Sequence, residues 1–361
     1  MEINKLGAPA EGNKAVVAPT YCVTGTTGYI GSWLVKLLLE RGYRVHATVR
    51  NPDKALNLLS LWTAAGNDQL RLFKADLLEE GSFDEAVKGC HGVFHVAASM
   101  EFGVNINANE NVDEHVRSNI IEPAIKGAEN LLRACLRSKS VKRVIFTSSI
   151  STITAKDHSN GNWRSVVDES CQTTIDHVLN AKASGWVYAL SKLLTEEAAF
   201  KFAKENGIDL VSVITTTVAG PFLTTMIPSS IQVLLSPITG DQKYFSILSA
   251  VNARMGSVAL VHIEDICNAH IFLMEQSGAE GRYICCAGSY TMSELINLLA
   301  KEYPCSNIQR LKAEDKAAKP AEISSKKLRD LGFTYKYGLE DIVHQSITSC
   351  VDYGFLPPIR K

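Results

Sequence analysis

Tyr188 and Lys192, four residues apart, are well suited to acid–base chemistry. The pattern of residues 186–205 predicts a helix, and residues i and i+4 share one face of a helix, so both side chains point the same way. A free tyrosine has a pKa of about 10. A neighbouring ammonium favours the phenolate and lowers that pKa, so that the phenol can protonate an oxyanion as it develops. The motif therefore predicts a tyrosine proton donor supported by a lysine.

A pair of serines, Ser148 and Ser149, ends the predicted strand that precedes this helix. Ligands of open α/β sheets bind at the carboxyl edge of the strands, so a serine there can hold a substrate oxygen. Ser149 lies nearer the pocket by its register and is the preferred candidate. Ser149, Tyr188 and Lys192 are the predicted catalytic set, and we expect Lys192 also to bond the ribose of a cofactor.

Three glycines, Gly25, Gly28 and Gly31, join the first predicted strand to the first predicted helix. In dinucleotide sites the first makes a tight turn, the second admits a pyrophosphate and the third lets the helix pack closely on the sheet. The start of the helix adds free N–H groups and a positive dipole end. The turn predicts a nicotinamide dinucleotide site. Its further contacts are expected to be Thr27, Tyr29 and Ile30.

The end of the second predicted strand indicates which dinucleotide binds. An acidic residue there often accepts a hydrogen bond from the ribose 2′-hydroxyl of NAD. This chain has Arg50 instead, with Lys54 nearby, and a guanidinium forms charge-assisted bonds with a 2′-phosphate. The sequence therefore favours NADPH over NADH. Other expected cofactor contacts are Asp76 and Leu77 at the adenine edge, and Val96, Ala97, Ala98 and Ser99 along the nicotinamide ribose.

The order of the predicted elements defines the fold class. Strands alternate with helices from residue 21 to residue 214, which is typical of βαβ units and a parallel sheet. Beyond residue 221, prolines and glycines interrupt the pattern. We expect an α/β protein with a Rossmann-type doubly wound parallel sheet and a smaller α-rich substrate region. Its parts are a flexible tail (1–17), an NADPH-binding domain (18–215) and a substrate-binding region (216–361), with segments exchanged across a blurred boundary.

Composition excludes several other classes. The 361 residues carry a net charge of −1 at pH 7, unlike the basic footprint of a nucleic-acid-binding protein or a polybasic membrane tether. The longest apolar stretches fall well short of the roughly 20 residues that span a bilayer, and the first residues contain no signal-peptide core. The nine cysteines are scattered without metal-site spacing, which favours reduced buried thiols and no metal. These features predict a cytoplasmic protein.

The motifs together resemble the extended short-chain dehydrogenases of plant flavonoid metabolism: dihydroflavonol reductases, anthocyanidin reductases and cinnamoyl-CoA reductases. The wider first gap of the glycine turn is typical of short-chain dehydrogenases, and the resemblance extends from residue 22 to residue 340. The similar segments include Trp33-Leu34-Val35, Ala47-Thr48-Val49-Arg50, Phe94-His95-Val96-Ala97 and residues 141–149. The chain most resembles anthocyanidin reductases, because the segment between Ser149 and Tyr188 is long and Thr154 replaces the substrate-binding asparagine of dihydroflavonol reductases. The loop over residues 246–261 also has the extended form of anthocyanidin reductases.

The resemblance implies a reaction and a substrate slot. An anthocyanidin such as cyanidin, a flavylium cation, would be reduced twice by NADPH to a flavan-3-ol such as epicatechin, with Tyr188 balancing the proton. A planar polyphenol suits an apolar slot with a few polar groups. The expected walls are Met100, Phe102, Thr154, Leu223, Met226 and Ile227. The alternatives are C4 reduction of a dihydroflavonol or related carbonyl by the same residues, an NAD-retaining epimerase or dehydratase, and a non-catalytic NADPH sensor.

Some positions differ from the family pattern or have other expected roles. Thr215 replaces a proline expected after the strand that begins at residue 210, and Gln172 replaces a tryptophan. Ser99 follows an Ala-Ala pair where the family has a proline. His262 is expected to be a structural histidine with satisfied hydrogen bonds, and His95 to be buried beside the cofactor.

Overall fold

The computed structural model describes residues 18–63, 69–98, 112–157, 161–304 and 321–358. The predicted tail (1–17) and three predicted site residues, Ser99, Met100 and Phe102, lie outside these ranges. The strands are β1 (Thr20–Val23), β2 (Arg44–Val49), β3 (Leu70–Lys74), β4 (Gly92–His95), β5 (Arg143–Ser149), β6 (Val166–Val167), β7 (Leu210–Thr215), β8 (Thr217–Ala219), β9 (Val258–His262), β10 (Gly281–Cys285), β11 (Gly288–Tyr290) and β12 (Glu322–Ile323).

The helices of the described residues lie between and after these strands. They are α1 (Tyr29–Glu40), α2 (Leu56–Thr63), α3 (Asp84–Val87), α4 (Val112–Val116), α5 (Glu122–Ser138), α6 (Ile175–Ala181), α7 (Trp186–Asn206), α8 (Ser229–Thr239), α9 (Gln242–Met255), α10 (Ile263–Glu275), α11 (Met292–Glu302), α12 (Lys326–Asp330) and α13 (Leu339–Asp352). Short helical turns cover Pro52–Ala55, Arg117–Ile121 and Ile150–Thr152. Within the described ranges, no helix is long and apolar enough to cross a membrane.

Seven parallel strands form the main sheet in the order β10-β7-β5-β4-β1-β2-β3. The chain runs outward from β1 through β2 and β3, then returns to place β4 on the other side of β1. Ligands of such sheets bind at this switch point, outside the carboxyl ends of the strands. The Rossmann-type doubly wound sheet is therefore confirmed. Its edge strand β10 comes from beyond residue 215, so the second half of the chain contributes to the sheet.

Alternating strand residues fill two cores, because successive side chains of a strand point to opposite faces. Val23 and Phe94 pack on one face with Leu34 of α1. Cys22 and Val93 pack on the other face, with side chains of α5 and α7. The sheet is thus covered by helices on both faces, so we expect a ligand site at its carboxyl edge.

The second region is more helical than its interrupted pattern indicates. Residues 229–255 form α8 and α9, which pack against α11, α13 and the three-stranded sheet β11-β9-β8. Gly240 and Gly256 end these two helices in the left-handed conformation, with φ of 73° and 71°. Pro237 lies inside α8 without ending it. These glycines therefore act as helix terminators within an ordered bundle.

Candidate active site

The glycine turn is tightly packed against neighbouring backbone. Gly25 has φ of +69°, and a Cβ added there would lie 2.8 Å from Cα of Ala97. A Cβ on Gly31 would lie only 2.2 Å from the carbonyl oxygen of Gly25. Gly31 is therefore required for packing of α1 against the turn itself, whereas the sequence predicts a contact with the sheet. Both positions admit only glycine in this geometry.

The start of α1 fits the pyrophosphate of a dinucleotide. Gly28 is the exposed N-cap of α1; no side chain caps the helix, and its first turn holds no acidic residue. The N–H groups of the first turn therefore meet no competing side-chain acceptor there. Thr26 fixes the turn to β2 by donating its hydroxyl proton to the Thr48 carbonyl at 2.9 Å. The half-buried Thr27 and Ile30 lie on either side of the Gly28–Tyr29 junction.

Tyr29 links the glycine turn to the second region of the chain. Its hydroxyl donates to the carbonyl of Gly220 at 3.1 Å, and its ring packs against both the sheet core and the second core. Burial raises the pKa of Tyr29 well above its ordinary value. Its phenol is therefore committed to a structural hydrogen bond.

The predicted adenine and 2′-phosphate contacts lie along the same edge of the sheet. Arg50 and Lys54 are exposed just beyond the end of β2. Asp76 is half-buried after β3, where its Oδ1 accepts a hydrogen bond from the N–H of Leu78 at 2.9 Å. Leu77 is held by its carbonyl, which accepts from Asn130 Nδ2 at 2.8 Å. All four residues lie just beyond the carboxyl ends of β2 and β3, and their contacts with a dinucleotide stay a prediction.

Thr24 organises the segment after β4. Its hydroxyl oxygen accepts from the N–H groups of Val96 and Ala97, at 3.1 and 3.0 Å. With both lone pairs used, Thr24 donates its own proton to Nδ1 of His95 at 3.0 Å. Burial, with a smaller contribution from Lys192, holds the pKa of His95 near 3. His95 is thus a buried neutral ring, and Ala98 follows it at the surface.

The structure brings Ser149 and Tyr188 together. Burial raises the pKa of Tyr188, and a hydrogen bond with Ser149 acts in the opposite direction. Ser149 Oγ also accepts from the N–H of Ser151 at 3.1 Å. Ser148 is almost fully buried and has no hydroxyl partner within the described residues. Of the two serines, Ser149 is thus the one that hydrogen-bonds the Tyr188 phenol.

Lys192 lies behind this pair and points at a strand end. Its Nζ donates to the carbonyl of Thr147 at 2.9 Å, and burial lowers its pKa to about 8, while the charge of Glu196 acts upward. The sequence predicts that Lys192 lowers the pKa of Tyr188. The net shift of Tyr188 is upward instead, because the burial of the phenol outweighs its favourable hydrogen bond. The lowering effect of Lys192 on this pKa therefore stays a prediction.

Two further groups near Lys192 were not predicted. His270 of α10 donates from Nδ1 to the carbonyl of Ile266 at 2.7 Å, so its Nε2 accepts from the hydroxyl of Thr147 at 2.9 Å. Glu196 follows Lys192 by one helical turn and is 2% exposed. The i+4 spacing from Lys192 is a sequence signal for Glu196, whereas nothing in the local pattern around His270 indicates its contact with β5.

The predicted substrate walls divide into three groups. Leu223 and Ile227 are half-buried and pack at the edges of the two cores. Met226 is 76% exposed, and Thr154 is 0% exposed with its hydroxyl accepting from the N–H of Lys156 at 3.2 Å. The expectation that Thr154 and Met226 line the slot is not supported, because one is enclosed and the other points into solvent. Met100 and Phe102 lie outside the described residues.

Hydrogen bonds hold the residues that differ from the family pattern or have other expected roles. Thr215 donates its hydroxyl proton to the carbonyl of Ser148 at 3.1 Å, which adds a bond between β7 and β5 that a proline could not make. Gln172 bonds Glu197 at 2.9 Å and Arg282 at 3.3 Å. His262 caps α10 through Nδ1 and stacks on Tyr337 with 3.7 Å between ring centroids. It is therefore a structural histidine.

The described cysteines take no part in the candidate site. The eight described cysteines are buried free thiols, and burial raises the pKa of Cys22 and Cys267 well above the ordinary value. No group of three His, Cys, Asp or Glu side chains within the described ranges could hold a metal ion.

Comparison with known proteins gives one consistent set of relatives. A sequence profile described as the NAD dependent epimerase/dehydratase family matches residues 21–287. A dihydroflavonol 4-reductase of Arabidopsis thaliana is 44% identical over 342 residues, which are 94% of this chain and 84% of the relative. A putative anthocyanidin reductase of Ginkgo biloba is 44% identical over 339 residues, or 93% of this chain and 96% of the relative. The crystal structure of vestitone reductase from alfalfa (Medicago sativa L.) matches with a TM-score of 0.75 and 35% identity, covering 93% of this chain and 99% of that one.

Proposed function

The chain belongs to the NAD dependent epimerase/dehydratase family and is an oxidoreductase of its flavonoid reductase group, and we propose that it is an NADPH-dependent anthocyanidin reductase. The observation that carries this proposal is the hydrogen-bonded pair of Ser149 and Tyr188, which lies at the carboxyl edge of the sheet with Lys192 behind it. A proton donor at that edge is suited to a substrate that accepts hydride from a dinucleotide bound at the glycine turn.

The proposed reaction balances with two hydrides and one proton. NADPH, when bound, would supply a hydride in each of two rounds. A flavylium cation that accepts two hydrides and one proton becomes a neutral flavan-3-ol. Tyr188 provides that proton, and its raised pKa keeps the phenol protonated near neutral pH. Ser149 holds the substrate oxygen in place, and Lys192 holds the ribose side of the site.

The position of Arg50 supports NADPH as the cofactor. Its guanidinium is exposed at the end of β2, where a 2′-phosphate would lie. We expect Arg50→Glu to weaken NADPH binding about 10- to 100-fold, because a charged hydrogen bond contributes roughly 1.5–3 kcal/mol. NADH binding should change much less. Titration of both dinucleotides by protein fluorescence measures the two Kd values.

A matched control for Arg50, which follows β2, is available on β2 itself. Arg44 is an exposed arginine at the opposite end of β2, so Arg44→Glu makes the same charge change away from the carboxyl edge. Its NADPH affinity should stay within about twofold of the parent protein. An unaltered preference between NADPH and NADH in Arg50→Glu would refute the 2′-phosphate contact.

A substrate panel tests the proposed reaction. The purified protein should consume NADPH with cyanidin and give a flavan-3-ol, identified by chromatography against authentic standards. If dihydroquercetin alone is consumed, the anthocyanidin assignment is wrong and C4 reduction is the activity. That second candidate is favoured by the equal identity to the Arabidopsis dihydroflavonol 4-reductase. Protein that retains tightly bound NAD and releases no NADP⁺ would instead indicate an epimerase or dehydratase.

A further inference from the structure

A buried acidic residue lies one helical turn beyond Lys192. Tyr188, Lys192 and Glu196 follow one another at i, i+4 and i+8 on α7, and therefore share one face of that helix. The side chain of Glu196 is 3% exposed. A carboxylate so completely enclosed is costly unless hydrogen bonds and an opposite charge compensate it. Glu196 therefore needs partners, and the structure supplies them from two strands of the sheet.

Both oxygens of Glu196 are fixed from the sheet. Ser212 of β7, itself fully buried, donates its hydroxyl proton to Oε1. Arg282 of β10 donates from Nη2 to Oε2 at 3.1 Å. The carboxylate is thus held beside Lys192 while its oxygens bond other groups. Its effect on Lys192 is exerted through space, in the direction that favours the ammonium.

Arg282 also reaches the helical turn Ile150–Thr152, which directly follows Ser149. Its Nη2 donates to the hydroxyl oxygen of Thr152 at 3.0 Å, and Thr152 donates to the carbonyl of Ser149 at 2.9 Å. Its Nη1 donates to the carbonyl of Glu169 at 3.0 Å. One guanidinium therefore joins the catalytic helix to the turn after Ser149. The network thus links the helix that carries Tyr188 to the residues that follow Ser149.

The other charged groups around Lys192 do not replace Glu196. From β4, the neutral ring of His95 faces Lys192, and from β5 the ring of Phe146 lies 5.8 Å from Nζ. From α10, His270 contacts Thr147, and burial lowers its pKa to about 4, so it is neutral near pH 7. Within the described residues, Glu196 is the acidic group whose charge supports Lys192.

We propose that Glu196, fixed by Arg282 and Ser212, is a positioning residue that keeps Lys192 in its ammonium form. Through Arg282 it also joins α7 to the helical turn Ile150–Thr152, which follows Ser149. Only the catalytic consequence of this role of Glu196 rests on the proposed function. The charge of Lys192 can be measured in the protein without substrate or cofactor. Failure of the two proposals is therefore distinguishable.

The variant Glu196→Gln removes the charge and retains the shape. A glutamine amide can accept from Arg282 and donate to Ser212, so both hydrogen bonds can persist. Competitive labelling with acetic anhydride over a pH series, read by peptide mass spectrometry, reports the pH at which Lys192 loses its proton. We expect that pH to fall by about one unit, because an opposite charge nearby shifts a pKa by that order. The alkaline limb of kcat/KM for NADPH should move down with it.

Glu197→Gln is the matched control for this experiment. Glu197 is the next residue of α7 and is exposed, with Gln172 as its partner at 2.9 Å. The same substitution there should leave the titration of Lys192 and the pH profile unchanged. A Glu196→Gln protein whose Lys192 titrates as in the parent overturns the proposal, even if its activity or thermal stability is lower.

A second variant keeps the test decisive if Glu196→Gln does not fold. The double substitution Glu196→Gln with Arg282→Gln removes both members of the Glu196–Arg282 ion pair, so neither of the two is left buried and unpaired. Lys192 should again lose its proton at lower pH, and an unchanged titration would again overturn the proposal. If the parent protein reduces no flavonoid while the Lys192 shift is observed, the proposed function fails and the role of Glu196 stands.

Discussion

Tyr188→Phe is expected to lower kcat by about 100- to 10,000-fold, the range that general acid catalysis contributes. The substitution removes only the hydroxyl that bonds Ser149 and leaves the ring packing of α7 in place. NADPH affinity should stay within a few-fold of the parent value, because the glycine turn and Arg50 are untouched. Steady-state kinetics with the best flavonoid substrate, together with a fluorescence titration of NADPH, measures both effects.

Tyr43→Phe is the control for that substitution. The hydroxyl of Tyr43 bonds Glu275 on the surface. Tyr43 follows the C-terminal end of α1, whereas the glycine turn precedes its N-terminal end, so loss of this hydroxyl should leave kcat unchanged within about twofold. Full activity in Tyr188→Phe would contradict the assignment of Tyr188 as the proton donor. If kcat fell equally in Tyr188→Phe and Tyr43→Phe, the effect would be one of general destabilisation.

Gly31→Ala is expected to raise the Kd for NADPH by 100-fold or more. The added Cβ would lie 2.2 Å from the carbonyl oxygen of Gly25 and 2.8 Å from its carbonyl carbon. These are backbone atoms of a tight turn, so they cannot move aside as a side chain would, and the turn must open. Overpacking of this kind also costs about 1–3 kcal/mol of unfolding free energy. Isothermal titration and thermal unfolding measure the two effects.

Gly338→Ala tests whether the effect belongs to the turn. Gly338 is also the residue before a helix, and a Cβ there meets its nearest atom, Asp341 Oδ2, at 3.9 Å. That variant should bind NADPH like the parent protein. NADPH binding by Gly31→Ala with parental affinity would show that the dinucleotide does not depend on the geometry of this turn.

The positions of the proposed catalytic residues were predictable because short-range spacing determines them. The i, i+4 relation of Tyr188 and Lys192 follows from helix geometry, and the strand register distinguishes Ser149 from Ser148. The glycine turn was equally clear, because its conformation is local. Gly31 lies where the sequence predicts it. It packs against the backbone of the glycine turn, however, and not against the sheet as expected.

The residues that could not be predicted depend on contacts between distant segments. Thr154 is enclosed because the strand-like segment at residue 171 pairs its backbone with it, and no local pattern reveals that pairing. The pKa of Tyr188 rises because several elements bury it. The partner of Glu196 comes from β10, 86 residues further along the chain. Sequence spacing could indicate that Glu196 shares a face of α7 with Lys192. It could not indicate that Arg282 holds the Glu196 carboxylate.

The isotope content of the product formed from cyanidin tests the central claim most directly. The protein is incubated with cyanidin and NADPH that carries deuterium at both C4 positions, and the product is analysed by mass spectrometry. Two hydride transfers to one anthocyanidin predict a flavan-3-ol that carries two deuterium atoms on carbon. Unlabelled product, or no product from cyanidin under conditions where dihydroquercetin gains one deuterium, would contradict the assignment.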